Sequence, residues 1–174
     1  MEIVRPDMLE HEALEIVRDK IGEVKSLDLE LLPCQVINLS CDLFAGDEFY
    51  ETHRERLCVN CLSRVVSRID RKLNAVKTLA WEHVKLSPRI DREETTYLAR
   101  KWLVDELTGQ REVIIKQTES STVFEKKLIT VDEDSIEVHE LELYYFPFYH
   151  IEGDRKSLYV DATTGEIYNS LMLI

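Results

Sequence analysis

Four cysteines are the residues of this chain whose types and spacing come closest to a chemical site. They are spaced as C-x6-C followed by C-x2-C: Cys34, Cys41, Cys58 and Cys61. Four thiolates suit tetrahedral zinc, and C-x2-C is a common half-site in structural zinc centres. A zinc ion held by these side chains is therefore one hypothesis for a cofactor.

The elements that carry these cysteines favour core thiols instead. If the second pair lies on a strand that pairs with the preceding one, with Ile37 opposite Leu57, the side chains alternate between two faces. The thiols then divide into one pair per face: Cys34 with Cys58, and Cys41 with Cys61. Cys41 and Cys61 would lie about 26 Å apart, so no single ion reaches all four. Because free cysteine behaves as a small buried hydrophobe, we predict no cofactor. A knuckle leading into a helix from Asn60 would restore the zinc hypothesis.

The histidines and serines show no familiar catalytic spacing. The five histidines form no H-E-x-x-H pattern: His11, His53, His83, His139 and His150. A G-x-S-x-G nucleophile elbow is also missing from the sequence. The sequence therefore favours a non-enzyme, although a site assembled from distant residues would leave no such motif.

An aromatic strand near the end of the chain is the best candidate for a binding surface. Tyr144, Phe146, Phe148 and His150 alternate along one face of the stretch LELYYFPFYHI, and Tyr159 follows on the return strand. This face is too apolar to be left bare, so another part of the chain, a second subunit or a protein partner should cover it. We predict these five residues as the binding site.

The sequence Asp161-Ala-Thr-Thr-Gly165 contains oxygen ligands that suit a metal or a phosphate. A hairpin corner with Gly165 in the left-handed conformation explains the same residues. We therefore predict that these residues form a hairpin corner and not a metal or phosphate site.

Composition limits the class of protein. The chain has 174 residues, 44% of them apolar, and a formal charge of −12, which argues against nucleic acid and anionic membranes as partners. It has no run of about 18 apolar residues and no signal peptide, so we expect a cytoplasmic protein without membrane contact. Residues 54–92 form a basic band, with ten Lys/Arg against four Asp/Glu. This band faces the chain's own acidic segments or solvent, or it docks an acidic partner or nucleic acid.

Hydrophobic periodicity predicts three helices and a set of strands. The helices are expected over 8–21 (capped by Asp7), 70–84 (amphipathic and basic) and 92–107 (capped by Asp91). The strands are expected over 27–43, 57–69, 112–118, 122–131, 141–151 and 158–167. Acidic loops are expected at 45–54 and 132–135. Residues 57–69 remain ambiguous between strand and helix start.

An internal match suggests a duplication. A shift of 114 places Leu27 on Leu141 and Pro33 on Pro147, a shift of 101 places Asn60 on Asp161, and a shift of 82 aligns the first helix with the last. We therefore predict an α+β fold of two tandem repeats of helix plus antiparallel β-hairpin, with helices packed on a curved antiparallel sheet. The first repeat, with its connecting helix, would span 1–87 and the second, elaborated repeat 88–174.

The stretch YVDATTGEI from Tyr159 to Ile167, at the end of a sheet that follows a helix, resembles the PepSY-type (cystatin-like) modules of peptidase propeptides and regulatory proteins. The resemblance implies a non-catalytic module that binds or inhibits a partner.

Two functions remain open. The first is a non-catalytic binding, scaffold or regulatory module that contacts a protein partner or a second copy as a homodimer. The alternative is a zinc-stabilised adaptor that binds an acidic partner or nucleic acid through the basic helix.

Overall fold

The computed structural model describes residues 2–174, which form two α-helices, ten β-strands and one short 3₁₀ helix. The helices are α1 (Glu10–Ile21), α2 (Arg92–Leu107) and the 3₁₀ helix Leu171–Leu173. The strands are β1 (Glu2–Val4), β2 (Val24–Ala45), β3 (Glu48–Asn60), β4 (Val66–Arg68), β5 (Ala75–Val76), β6 (Val84–Lys85), β7 (Gly109–Gln117), β8 (Thr122–Gly153), β9 (Ser157–Asp161) and β10 (Ile167–Tyr168). No helix in this range is long and apolar enough to cross a membrane.

All ten strands belong to one mixed sheet, ordered β10-β9-β8-β2-β3-β4 along its main path. The two long strands β2 and β8 pair antiparallel at its centre, from Leu27 opposite Ile151 to Ala45 opposite Ile129. β7 extends the sheet beside the first part of β8. Two short strands run parallel to their neighbours, β1 beside β8 and β6 beside β2.

The predicted architecture of two tandem helix-plus-hairpin repeats is wrong. The chain is 54% strand, and it forms a single ten-stranded sheet that includes parallel pairs. The physical reason is that a separate hairpin has unpaired backbone groups along both outer edges, and the pairing of β2 with β8 satisfies one edge of each hairpin. The predicted loops at 45–54 and 132–135 are also largely strand, because β2, β3 and β8 continue through them.

The first and last predicted helices are confirmed. α2 begins after Asp91, whose carboxylate accepts a hydrogen bond from the Glu94 N–H at 2.8 Å. α1 begins two residues later than predicted, and its cap is Leu9 rather than Asp7. The Leu9 N–H donates to the Glu12 carboxylate at 2.7 Å, which satisfies one of the free donors at the helix start.

The predicted basic helix over 70–84 is wrong. This segment is irregular, apart from β5 and the start of β6. Its apolar residues do not share one face, because Leu73 packs against the sheet face that carries Phe146, whereas Val76 and Leu79 pack around Tyr145 on the other face. Residues 57–69 are strand, as one of the two interpretations held, but a turn after Asn60 divides them into β3 and β4.

The two faces of the sheet are covered differently. Both helices lie on one face, called the helix face, where α1 packs against Ile151 and Val160 and α2 against Ile37 and Leu57. The opposite face, called the outer face, has no helix of comparable length on it in the described chain. Its central part is covered by residues from the irregular 69–86 segment and from the chain's last residues.

Candidate functional site

The cysteines lie on both faces of the sheet. The predicted pairing of Ile37 with Leu57 is confirmed, and it divides the thiols as expected. Cys34 and Cys58 belong to the outer face, whereas Cys41 and Cys61 lie in the core beneath α2. Within residues 2–174, no group of three or more His, Cys, Asp or Glu side chains is arranged to hold a metal ion.

The environment of Cys34 and Cys61 keeps these two thiols protonated. A hydrogen bond with Cys58, together with burial, raises the pKa of Cys34. Burial raises the pKa of Cys61 to about 11. Since the thiolate is the nucleophile and the metal ligand, neither side chain is prepared for that chemistry at neutral pH.

All five predicted binding residues lie on the outer face. Phe146 and Phe148 are buried, and Tyr144 and Tyr159 are half-buried beside them. Their cover comes from the chain itself, through Ile69, Leu73 and Leu86 of the irregular segment and Leu171 and Ile174 at the end of the chain.

His150, on β8, is held by contacts with side chains of the two neighbouring strands, β2 and β9. Its ring stacks on Tyr159, with ring centroids 4.4 Å apart and an interplanar angle of 8°. One ring nitrogen, Nδ1, lies 3.0 Å from Glu30 Oε1, and the other, Nε2, lies 2.6 Å from Ser157 Oγ. The sequence did not reveal Glu30 and Ser157 as partners, because only the register of β2, β8 and β9 brings them together.

The order carboxylate, imidazole, hydroxyl is the connectivity of an acyl-transfer relay. Ser157, however, is exposed at the start of β9, and none of the three residues lines the cleft described next. We therefore interpret this chain of hydrogen bonds as a link that holds β2, β8 and β9 in register.

A cleft of about 350 Å³ opens on the outer face above two of the predicted residues, Phe146 and Phe148. Its floor is apolar and comes from the two central strands: Leu32, Cys34, Phe146 and Phe148. Cys58, Ile69 and Ile174 form apolar walls. The sequence pattern places Ile69 at the end of a predicted strand but not in a site, and Ile174 lies beyond the last predicted strand.

Charged and hydroxyl groups form the rim of this cleft. Arg71 donates to Thr163 Oγ1 at 2.5 Å, and its Nη2 lies 3.6 Å from Asp161 Oδ2. The Tyr168 hydroxyl donates to Glu166 Oε2 at 2.6 Å, and the Tyr168 ring meets Phe148 edge-on at 6.1 Å. Burial and this hydrogen bond raise the pKa of Tyr168, so it remains a neutral donor. The cleft thus combines an apolar floor with a rim of both charge signs.

The basic band contributes to this rim, and three of its ten Lys/Arg side chains contact the chain's own acids. Besides the pair of Arg71 with Asp161, Arg64 Nε lies 2.5 Å from Glu94 Oε1, and Arg68 Nε lies 3.0 Å from Glu55 Oε2. For these three residues, the arrangement agrees with the interpretation of the band as a surface that faces acidic segments.

The predicted corner at Asp161–Gly165 is confirmed, with Gly165 at a φ of 77°. Asp161 Oδ1 accepts hydrogen bonds from the N–H groups of Thr163 and Thr164, at 2.7 and 3.3 Å. A second corner after β3 is built in the same way, because Asn60 Oδ1 accepts from the N–H groups of the residues two and three positions later, at 2.8 and 3.1 Å. The amide thus replaces the carboxylate in the same role.

This similarity gives a test of how the corner is stabilised. Asp161→Ala removes the acceptor from two backbone donors in partly buried hydrogen bonds and should lower the free energy of unfolding by about 1–3 kcal/mol. Asp161→Asn keeps the acceptor and loses only the long contact with partly exposed Arg71, so we expect a loss below about 1 kcal/mol. Urea denaturation followed by circular dichroism measures both. Equal losses for the two variants would refute this role of Oδ1.

Comparison of the chain with known protein families, with curated proteins and with solved structures gave no significant match.

Proposed function

We propose that this chain is a non-catalytic binding module of the cytoplasm that takes an apolar side chain of a protein partner into the outer-face cleft. The observation that carries the proposal is the cleft itself, an open cavity of about 350 Å³ above buried apolar side chains on a face that is otherwise largely covered. An anchor side chain that fills such a pocket typically provides much of the affinity of a protein interface.

The rim indicates the chemistry of the partner segment. Three carboxylates and two guanidinium groups line the cleft: Asp70, Asp161, Glu166, Arg68 and Arg71. The chain as a whole carries a charge of −12. An acidic body steers basic partners towards it, so the favoured ligand is an apolar residue flanked by Lys or Arg.

The resemblance of Tyr159–Ile167 to PepSY-type modules supports the same proposal, since it implies a module that binds or inhibits a partner. The zinc-adaptor alternative has no comparable support. Its basic helix is not formed over 70–84, and its four cysteines lie on opposite faces of the sheet.

Selection of peptides against the intact chain tests the proposal. Peptides from a random 12-residue phage library would be selected on the wild-type protein, synthesised, and measured by fluorescence anisotropy. Ser67 is exposed and lies on the cleft wall, so Ser67→Trp should block the opening without disturbing the core. We expect Ser67→Trp to weaken binding at least tenfold, or about 1.4 kcal/mol.

The matched control is Thr78→Trp, which adds the same side chain at an exposed position outside the cleft. Its affinity should stay within twofold of wild type. Selection that enriches no peptide, or peptides that bind Ser67→Trp as tightly as wild type, would contradict the proposal.

A further inference from the structure

The hairpin formed by β7 and the first part of β8 carries apolar side chains that the rest of the described chain leaves exposed. Ile114 and Phe124 lie opposite each other on β7 and β8. Leu128 lies on the same face, four residues further along β8. Their side chains are 52%, 55% and 54% exposed. Leu128 lies next to the cross-strand pair Phe44 and Phe49. The rings of this pair meet edge-on, with centroids 6.0 Å apart. We call these five residues the open face: Phe44, Phe49, Ile114, Phe124 and Leu128.

The open face belongs to the outer face of the sheet. Leu43, Ala45 and Ile129, which alternate with its residues, are buried against α2 on the helix face. The segments that cover the centre of the outer face do not reach this end, as the exposure of Phe49 and Phe124 shows. A two-stranded ribbon with bare apolar side chains is marginally stable in water, so a cover should stabilise it.

Charge favours a second copy of the chain as that cover. Residues 109–129 contain four Lys/Arg and three Asp/Glu, whereas the remaining residues contain eighteen against thirty-one. The acidic parts of two chains repel each other. The charges of this hairpin are nearly balanced, so two chains can approach through it with little repulsion. The hairpin has no large excess of either charge, so it does not favour a strongly basic or a strongly acidic partner.

The charges within the open face are also self-complementary. Glu112 and Lys126 form a cross-strand pair on the same face. This pair lies between the Ile114–Phe124 pair and Leu128. A twofold axis can bring Glu112 of one copy near Lys126 of the other, which is how an isologous interface satisfies its charges. Five side chains that each hide on the order of 100 Å² bring this contact towards the roughly 800 Å² per partner of a standard interface.

We propose that the open face packs against the same face of a second copy and makes the protein a twofold-symmetric dimer. This interface is separate from the cleft, so the proposal does not depend on the function proposed above.

Light scattering coupled to size-exclusion chromatography gives the first test. The wild-type chain at about 100 µM should elute with twice the chain mass of 20.4 kDa. Phe124→Asp should elute with the monomer mass. Val123→Asp places the same charge on the other face of the ribbon, at a side chain of similar exposure, and should remain dimeric. A monomeric wild type, or a dimeric Phe124→Asp, would overturn the proposal.

Charge exchange gives a second test that does not depend on the aspartate variant folding. Glu112→Lys puts two cations on each open face and Lys126→Glu puts two anions there, so each variant alone should dissociate at least tenfold more readily than wild type. A mixture of the two, with one labelled with ¹⁵N, should form heterodimers in native mass spectrometry. If Glu112 and Lys126 contacted each other only within one chain, the mixture would form no heterodimers. A mixture without heterodimers would therefore contradict the interface.

Discussion

Replacing Phe148 by alanine is expected to lower the free energy of unfolding by about 3–5 kcal/mol. Phe148 is 1% exposed, lies on the floor of the outer-face cleft, and packs edge-on against Tyr168. Removing the ring loses the free energy that is gained by burying it away from water. It also leaves a cavity next to a cleft that is already open. The surrounding strands are paired on both sides and cannot close over the gap.

Urea denaturation followed by circular dichroism measures this effect. The control is Tyr97→Ala on α2, which removes an aromatic side chain that is 65% exposed and should change stability by less than about 1 kcal/mol. A loss for Phe148→Ala within 1 kcal/mol of this control would show that the ring does not support the outer face.

The second large effect is expected at Gly153, where β8 turns towards β9. A Cβ at this position would lie 2.2 Å from the Ile21 carbonyl oxygen and 2.8 Å from two further Ile21 atoms. Backbone must move to make room, and this backbone also accepts the Arg155 N–H at 3.1 Å. We therefore expect Gly153→Ala to cost about 3 kcal/mol or more.

Gly46 provides the matched control for this substitution. It occupies the turn between β2 and β3 with a φ of 66°, and nothing lies within 4 Å of a Cβ built there. Gly46→Ala should therefore cost only the conformational penalty of a left-handed residue, about 1 kcal/mol. If thermal and urea unfolding rank the two variants in the opposite order, the close contact between α1 and the β8–β9 turn is not a determinant of stability.

The parts of the fold that sequence could predict are those set by local patterns. The α2 bounds follow from the Asp91 cap and from a stripe of buried residues at four-residue spacing: Thr95, Ala99, Leu103 and Leu107. The turn of the β7–β8 hairpin and the left-handed Gly165 also follow from nearby residues. Each of these features is decided within a few positions along the chain.

The parts that failed depend on contacts that are distant in sequence. Pairing of β2 with β8 joins residues more than a hundred positions apart, such as Leu27 and Ile151, and no local period predicts it. The segment 70–84 shows helical spacing, yet its apolar side chains bury better on separate faces of the sheet. Tertiary burial outweighed local propensity there.

The candidate site shows the same division. Alternation along β8 placed Phe146 and Phe148 on one face, and both lie on the cleft floor. The walls and rim include Ile69, Arg71 and Ile174, which no motif or strand alternation marks as parts of one site. The sequence therefore identified the floor of the cleft but not the cleft. The division of the chain at residues 87 and 88 stays a prediction.

Methyl NMR of the chain with a selected peptide tests the central proposal most directly. Among the isoleucines, Ile69 and Ile174 line the cleft, whereas Ile114 and Ile115 lie on the distant hairpin. With δ1-methyl labelling of isoleucine, binding of a partner side chain in the cleft should shift the signals of Ile69 and Ile174 and leave those of Ile114 and Ile115 unchanged. Shifts at the hairpin with none at Ile69 and Ile174 would contradict the cleft as the binding site.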